Sequence, residues 1–187
     1  MSLCPLMTDF CRLNNLMRML WEQHATWTRM TIISISEGLE DVEETTTRLL
    51  RNPADIAAAF RPLYGNDVAV RLNSLITDHL VLAAELVKAA KAGDIGAAAE
   101  IERRWYANAD EIASFLSAIN PFWSIEKMTR MWHEHLSLVK SQAVARLNND
   151  YASDIAFYDE GERLLLEMAD ELTCGIIRQF PLLRAHC

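Results

Sequence analysis

Six glycines and five prolines are all that punctuate 187 residues. Turns, hairpins and strand ends draw heavily on both residues, so a chain this poor in them has few connections and long elements. A β-sandwich or barrel needs a turn signal about every dozen residues and is excluded. Alanine and leucine fill the gaps, and both are strong helix formers. Half the chain is apolar and about a quarter charged, enough for a sizeable buried core. These features predict an all-α fold.

Helix start and stop signals divide the chain. A first long helix starts between Thr8 and Asn15 and ends at Gly38. Asp41 opens a short helix, with Glu44 at capping-box spacing. Asn52-Pro53 starts another, ending near Pro62 and Gly65, so residues 41–64 read as a helical crossover. A second long helix runs from Asp67 to Ala92. A third follows Asp94 to about Ala118, a fourth follows Ser124 to about Leu147, and a fifth spans Tyr151 to about Gln179. Short connections imply antiparallel neighbours. The expected architecture is one domain over 1–187: an antiparallel four-helix-type bundle, ferritin-like or up-and-down, with an additional long helix, a short crossover and loose termini at 1–12 and 181–187. MLWEQH in the first helix echoes RMWHEH in the fourth, which suggests two related halves.

A bundle helix buries a seam of apolar residues spaced alternately three and four apart. In four helices a polar residue interrupts that seam. The first reads Leu13, Met17, Leu20, His24, Trp27, Thr31, Ile35. The second reads Leu72, Leu75/Ile76, His79, Leu82/Ala83, Leu86. The fourth reads Met128, Met131/Trp132, His135, Leu138/Val139, Gln142, Ala145. The fifth reads Ile155, Tyr158/Asp159, Glu162, Leu165/Leu166, Ala169, Leu172, Ile176. Each interruption lies about 15–20 Å along its helix at 1.5 Å per residue, so the four side chains reach one level. Asp159 precedes Glu162 by three residues and supplies a second carboxylate. A buried carboxylate needs a cation or a shifted pKa, and imidazole with carboxylate suits a divalent Fe, Zn or Mn ion. The expected ligands are His24, His79, His135 and Glu162, with Asp159 as a fifth and Asn108 of the third helix hydrogen-bonding behind them. The alternative is a metal-free polar network that fixes helix register in a structural protein, a helix-mediated homodimer.

The remaining residues exclude more than they suggest. Ferritin-type Glu-x-x-His spacing is absent: Glu22 precedes His24 by two residues, while Asp78 and Glu134 precede their histidines by one. No GxSxG, P-loop, GxGxxG or HExxH occurs. A net charge of −8 argues against nucleic acid, and no apolar run reaches membrane-spanning length. With no basic n-region at the N-terminus, a cytoplasmic protein is expected. His133 reads as surface and His186 as tail. The five tryptophans read as packing, with an aromatic pocket beside the polar centre as the other reading. Arg29 reads as a surface ion pair, and Cys4 with Cys11 as a weak candidate pair for a soft metal.

The chain also resembles a family of bacterial all-helical proteins without assigned function, found mainly in anaerobic and spore-forming Firmicutes. The stretches that carry the resemblance are LWEQHATWTR (20–29), RLLRNPADIA (48–57), TDHLVLAAELVKAAKAGD (77–94), RWYANADEIASFLSAINPFW (104–123), HEHL (133–136) and MADELTCGIIRQF (168–180). The resemblance implies an all-helical fold similar in architecture to ferritin-like and hemerythrin-like metal bundles, and it brings no catalytic residues. Members are sometimes labelled acetylglutamate kinase or glycosyltransferase. No phosphate-binding loop or strand–helix alternation supports either label.

Overall fold

A computed structural model describes residues 9–181. Cys4, His186 and Cys187 lie outside the described residues, as do the expected loose ends apart from residues 9–12 and Pro181. Residues 9–12 are helical. Seven helices occur among the described residues, and no strand: α1 (Asp9–Glu37), α2 (Val42–Leu49), α3 (Asn52–Tyr64), α4 (Asn66–Lys91), α5 (Ile95–Ile119), α6 (Ile125–Leu147) and α7 (Tyr151–Gln179). The fold is an all-α bundle of five long helices plus a two-helix crossover.

The caps explain why the helices start where they do. Asp94, Ser124 and Asp150 each accept a hydrogen bond from a backbone N–H three residues on, at 2.9, 3.2 and 3.2 Å. Asp41 departs from the expected capping box. Its side chain makes no cap bond, and its carbonyl instead accepts from the Thr45 hydroxyl at 3.0 Å. α1 ends at Gly38, whose φ of 69° suits a residue without a Cβ. Pro62 lies inside α3, which ends at Tyr64, just before the expected stop at Gly65.

Pairs between helices set their directions. Arg71–Glu111 joins the start of α4 to the end of α5, so these helices are antiparallel. Lys140–Glu102 and Lys127–Glu171 do the same for α5 with α6 and α6 with α7. Arg18–Asp170 and Arg29–Asp154 run α1 against α7. Lys91 Nζ, however, donates to the Ile35 carbonyl at 2.6 Å, so α1 and α4 end together and are parallel. The chain must therefore return along the bundle between them. The 8 residues of α2 and 13 of α3 supply about 30 Å of rise for that return. As a result α1, α4 and α6 share one direction, with α5 and α7 opposed. A single buried cluster takes residues from every helix. No helix among the described residues is long and apolar enough to cross a membrane.

Candidate metal centre

His24, His79 and His135 come from the three parallel helices and meet in the core. Each is 1% exposed. Their ring centroids are 5.5 Å (His24–His135), 5.6 Å (His79–His135) and 6.2 Å (His24–His79) apart. One ligand nitrogen from each lies within 4.8 Å of the others, close enough to bind a metal. Two nitrogens on a tetrahedral ion stand about 3.4 Å apart, given bonds of about 2.1 Å, so binding would draw the rings slightly inward.

Indoles enclose the imidazoles. Trp132 meets His79 edge-on at 5.1 Å, Trp105 lies 5.4 Å from His79, and Trp21 lies 5.5 Å from His24. The echo between LWEQH and MWHEH has a structural meaning here, because each places a tryptophan three residues before its histidine on one helix face. The aromatic surroundings raised as a second reading of the tryptophans are thus present for Trp21, Trp105 and Trp132.

Burial makes the rings weak bases. Desolvation lowers the pKa of His24 to about 4, against a small opposing pull from Asn52. Desolvation, then the neighbouring His24, lowers His79 to about 3, with Asn108 acting weakly the other way. His135 is pushed well below the usual range by burial and by both other rings. At neutral pH all three are neutral, the form that ligates metal.

The rings do not satisfy one another. His24 Nε2, His79 Nδ1 and His135 Nδ1 are buried without a hydrogen-bond partner. The far side of His24 is anchored. Asn52 Nδ2 donates to the Leu20 carbonyl at 2.9 Å, which leaves its Oδ1 to accept from His24 Nδ1 at 3.0 Å. That bond puts the proton on Nδ1 and leaves the Nε2 lone pair free, as an amide behind a ligating histidine does. Asn52 is fully buried. Its place beside Pro53 reads as punctuation in the sequence, which hid its role. Asn52→Ala should cost about 1–3 kcal/mol, because a buried N–H loses its acceptor. Chemical denaturation with and without the substitution measures this.

Asn108 is buried but does not make the expected hydrogen bond to the histidines. Its Nδ2 donates to the Leu75 carbonyl at 3.1 Å, while Oδ1 has no partner in hydrogen-bond geometry.

The two carboxylates do not join the three rings. Asp159 is exposed, and Glu162 is half-buried and outside the histidine group. Glu162 instead accepts from the Tyr158 hydroxyl at 3.0 Å. The expected seam of α7 is correct from Leu165 onward but one residue out of phase before it. Asp154 and Gly161 face the core, while Ile155 is 52% exposed. A seven-residue repeat drifts about 20° per turn pair on a straight helix, and one residue of slip rotates a side chain by about 100°.

The buried carboxylate of α7 is therefore Asp154, which the sequence reading missed. It is fully buried and takes a two-pronged bond from Arg29 at 2.8 and 3.2 Å, with Arg146 at 3.4 Å. Arg29 is correspondingly a half-buried partner of a buried carboxylate rather than half of a surface ion pair. His133 is at the surface as expected, 2.7 Å from Asp110. Cys11 is exposed.

No protein-family model, curated protein or solved structure matches the chain. The all-helical fold implied by the family resemblance is present, and the family itself gains no support from these comparisons.

Proposed function

We propose that the protein binds one divalent metal ion in its core, with His24, His79 and His135 as the protein ligands. One observation carries the reading: three neutral, fully buried imidazoles converge, and each has a ring nitrogen without a hydrogen-bond partner. A register-fixing polar network would satisfy those nitrogens, because orphaned buried polar atoms cost about 1–3 kcal/mol each. An ion bound by one nitrogen of each ring would give the three rings a shared partner.

The donor set narrows the choice among Fe, Zn and Mn. Imidazole suits zinc and iron, whereas manganese favours carboxylates, and none lies in the group. Three protein ligands and an open fourth position are the pattern of centres that handle an exogenous molecule, as opposed to closed structural sites. Such a centre would supply Lewis-acid chemistry with zinc or redox chemistry with iron.

Elemental analysis of protein purified without a histidine tag tests the proposal. About one equivalent of zinc or iron is expected. His79→Gln keeps a polar side chain in the core and should weaken metal binding at least 100-fold. Metal should also raise the melting temperature, by about 2.7 kcal/mol of stability at a hundredfold excess over Kd. Metal-free protein whose melting temperature ignores added zinc and iron would leave the register-fixing structural protein as the better reading.

A further inference from the structure

Beside His135 lies a small cavity between α1, α6 and α7, of about 20 Å³. A single water needs about 10–15 Å³ measured this way, so the space admits one or two heavy atoms. Thr28, Gln142, Tyr158 and Glu162 line it together with His135. Two of these are orphans: Gln142 Nε2 and Thr28 Oγ1 are buried with no partner, in residues 4% and 7% exposed. A buried amide N–H₂ facing an apolar wall loses its hydration without return, which rarely persists unless something accepts from it.

Charge bears on the same cavity. Three neutral imidazoles carry no charge to offset the +2 of an ion, and the carboxylate that lines the cavity, Glu162, lies outside the histidine group and accepts from the Tyr158 hydroxyl. An uncompensated buried charge is costly, so an anionic or strongly polar fourth ligand is favoured. Within the described residues no carboxylate belongs to the histidine group. Both His135 and Glu162 line the cavity.

Building on the proposed three-histidine site, we propose that this cavity holds the fourth ligand of the ion: water or hydroxide at rest, exchangeable for one diatomic molecule or anion. Gln142 Nε2 and Thr28 Oγ1 donate hydrogen bonds to it. Sequence alone shows Gln142 on the α6 seam seven residues after His135, two turns along the same face. It does not show the cavity.

Cobalt(II) substitution gives a visible spectrum that reports the ligands directly. The cobalt protein is titrated anaerobically with cyanide. The absorption bands should shift and saturate at one cyanide per cobalt. Gln142→Met, similar in length but without the donor, should weaken cyanide 10- to 100-fold with cobalt affinity unchanged, the effect of losing a hydrogen bond to a charged ligand. Thr28→Val should weaken it in the same direction. Acetate, which exceeds the space, should leave the spectrum unaltered. A cobalt protein indifferent to cyanide, equally responsive to acetate, or unaffected by either substitution would overturn the inference while leaving the metal site standing. Failure to bind cobalt at all would overturn both.

Discussion

Metal-free protein held in chelator should lose on the order of 10 °C in melting temperature between pH 7.5 and pH 5. The folded state keeps three imidazoles neutral, with His24 titrating near 4, His79 near 3 and His135 well below its normal range. In the unfolded chain each titrates near its ordinary value of about 6.5. Between these limits the unfolded state binds more protons, so stability falls as pH falls. The contribution is complete above about pH 6.5 and drains away toward pH 4. At pH 5 His24 and His79 each account for about 2 kcal/mol, since one pKa unit is about 1.4 kcal/mol, and His135 adds in the same direction. A domain of this size shifts by about 2–4 °C per kcal/mol. Calorimetry at several pH values measures the slope, and His79→Gln should flatten it by roughly a third. A level profile would mean that the rings reach solvent or share their protons. The same burial that makes the apoprotein acid-sensitive keeps the ring lone pairs available at neutral pH.

Gly175→Ala should be among the most damaging single substitutions, at about 3 kcal/mol or more. A Cβ at position 175 would fall 1.9 Å from Trp123 Nε1 and 2.5 Å from its Cδ1. Contact that close requires movement, and Trp123 has nowhere to go. It is 1% exposed and packs 6.1 Å from Phe60 and 6.0 Å from Tyr64. Tyr64 in turn donates to Gln179 at 2.8 Å and accepts from Asn120 at 2.9 Å, tying α3 to the end of α7. Overpacking of this kind commonly costs about 1–3 kcal/mol, and more where the neighbour is locked. The expected melting temperature is lower by about 6–12 °C. Adding Trp123→Phe should recover part of the loss, because the smaller ring vacates the indole nitrogen's position. A Gly175→Ala protein as stable as the parent would show that α7 can slide away from Trp123.

Much of this molecule was legible from local pattern. The long helices, the crossover and three of the caps follow from scarce glycine and proline and from Asp94, Ser124 and Asp150, all within a few residues of what they organise. The three histidines were legible for a related reason. Each sits at a seam position that otherwise takes leucine, at similar depth on a long helix. The seam on α7 failed because its N-terminal half carries Ile155 outward and Asp154 inward, against the ordinary preference of both. Arg29, from a helix more than a hundred residues earlier, makes that exchange favourable by neutralising Asp154. Asn52 was misread in the same way, since its partner His24 lies across the crossover.

Sequence by itself determined that the chain forms long helices and that His24, His79 and His135 point into their core, because periodicity and end signals act over one or two turns. Only the tertiary structure decided that α1 runs parallel to α4, that Glu162 and Asp159 stay out of the centre, and that Gln142 lines a cavity beside His135. Those outcomes depend on how helices rotate about their axes and which distant partner each side chain meets. A rotation of one residue's width, invisible to a spacing rule, is enough to exchange a buried carboxylate for an exposed one.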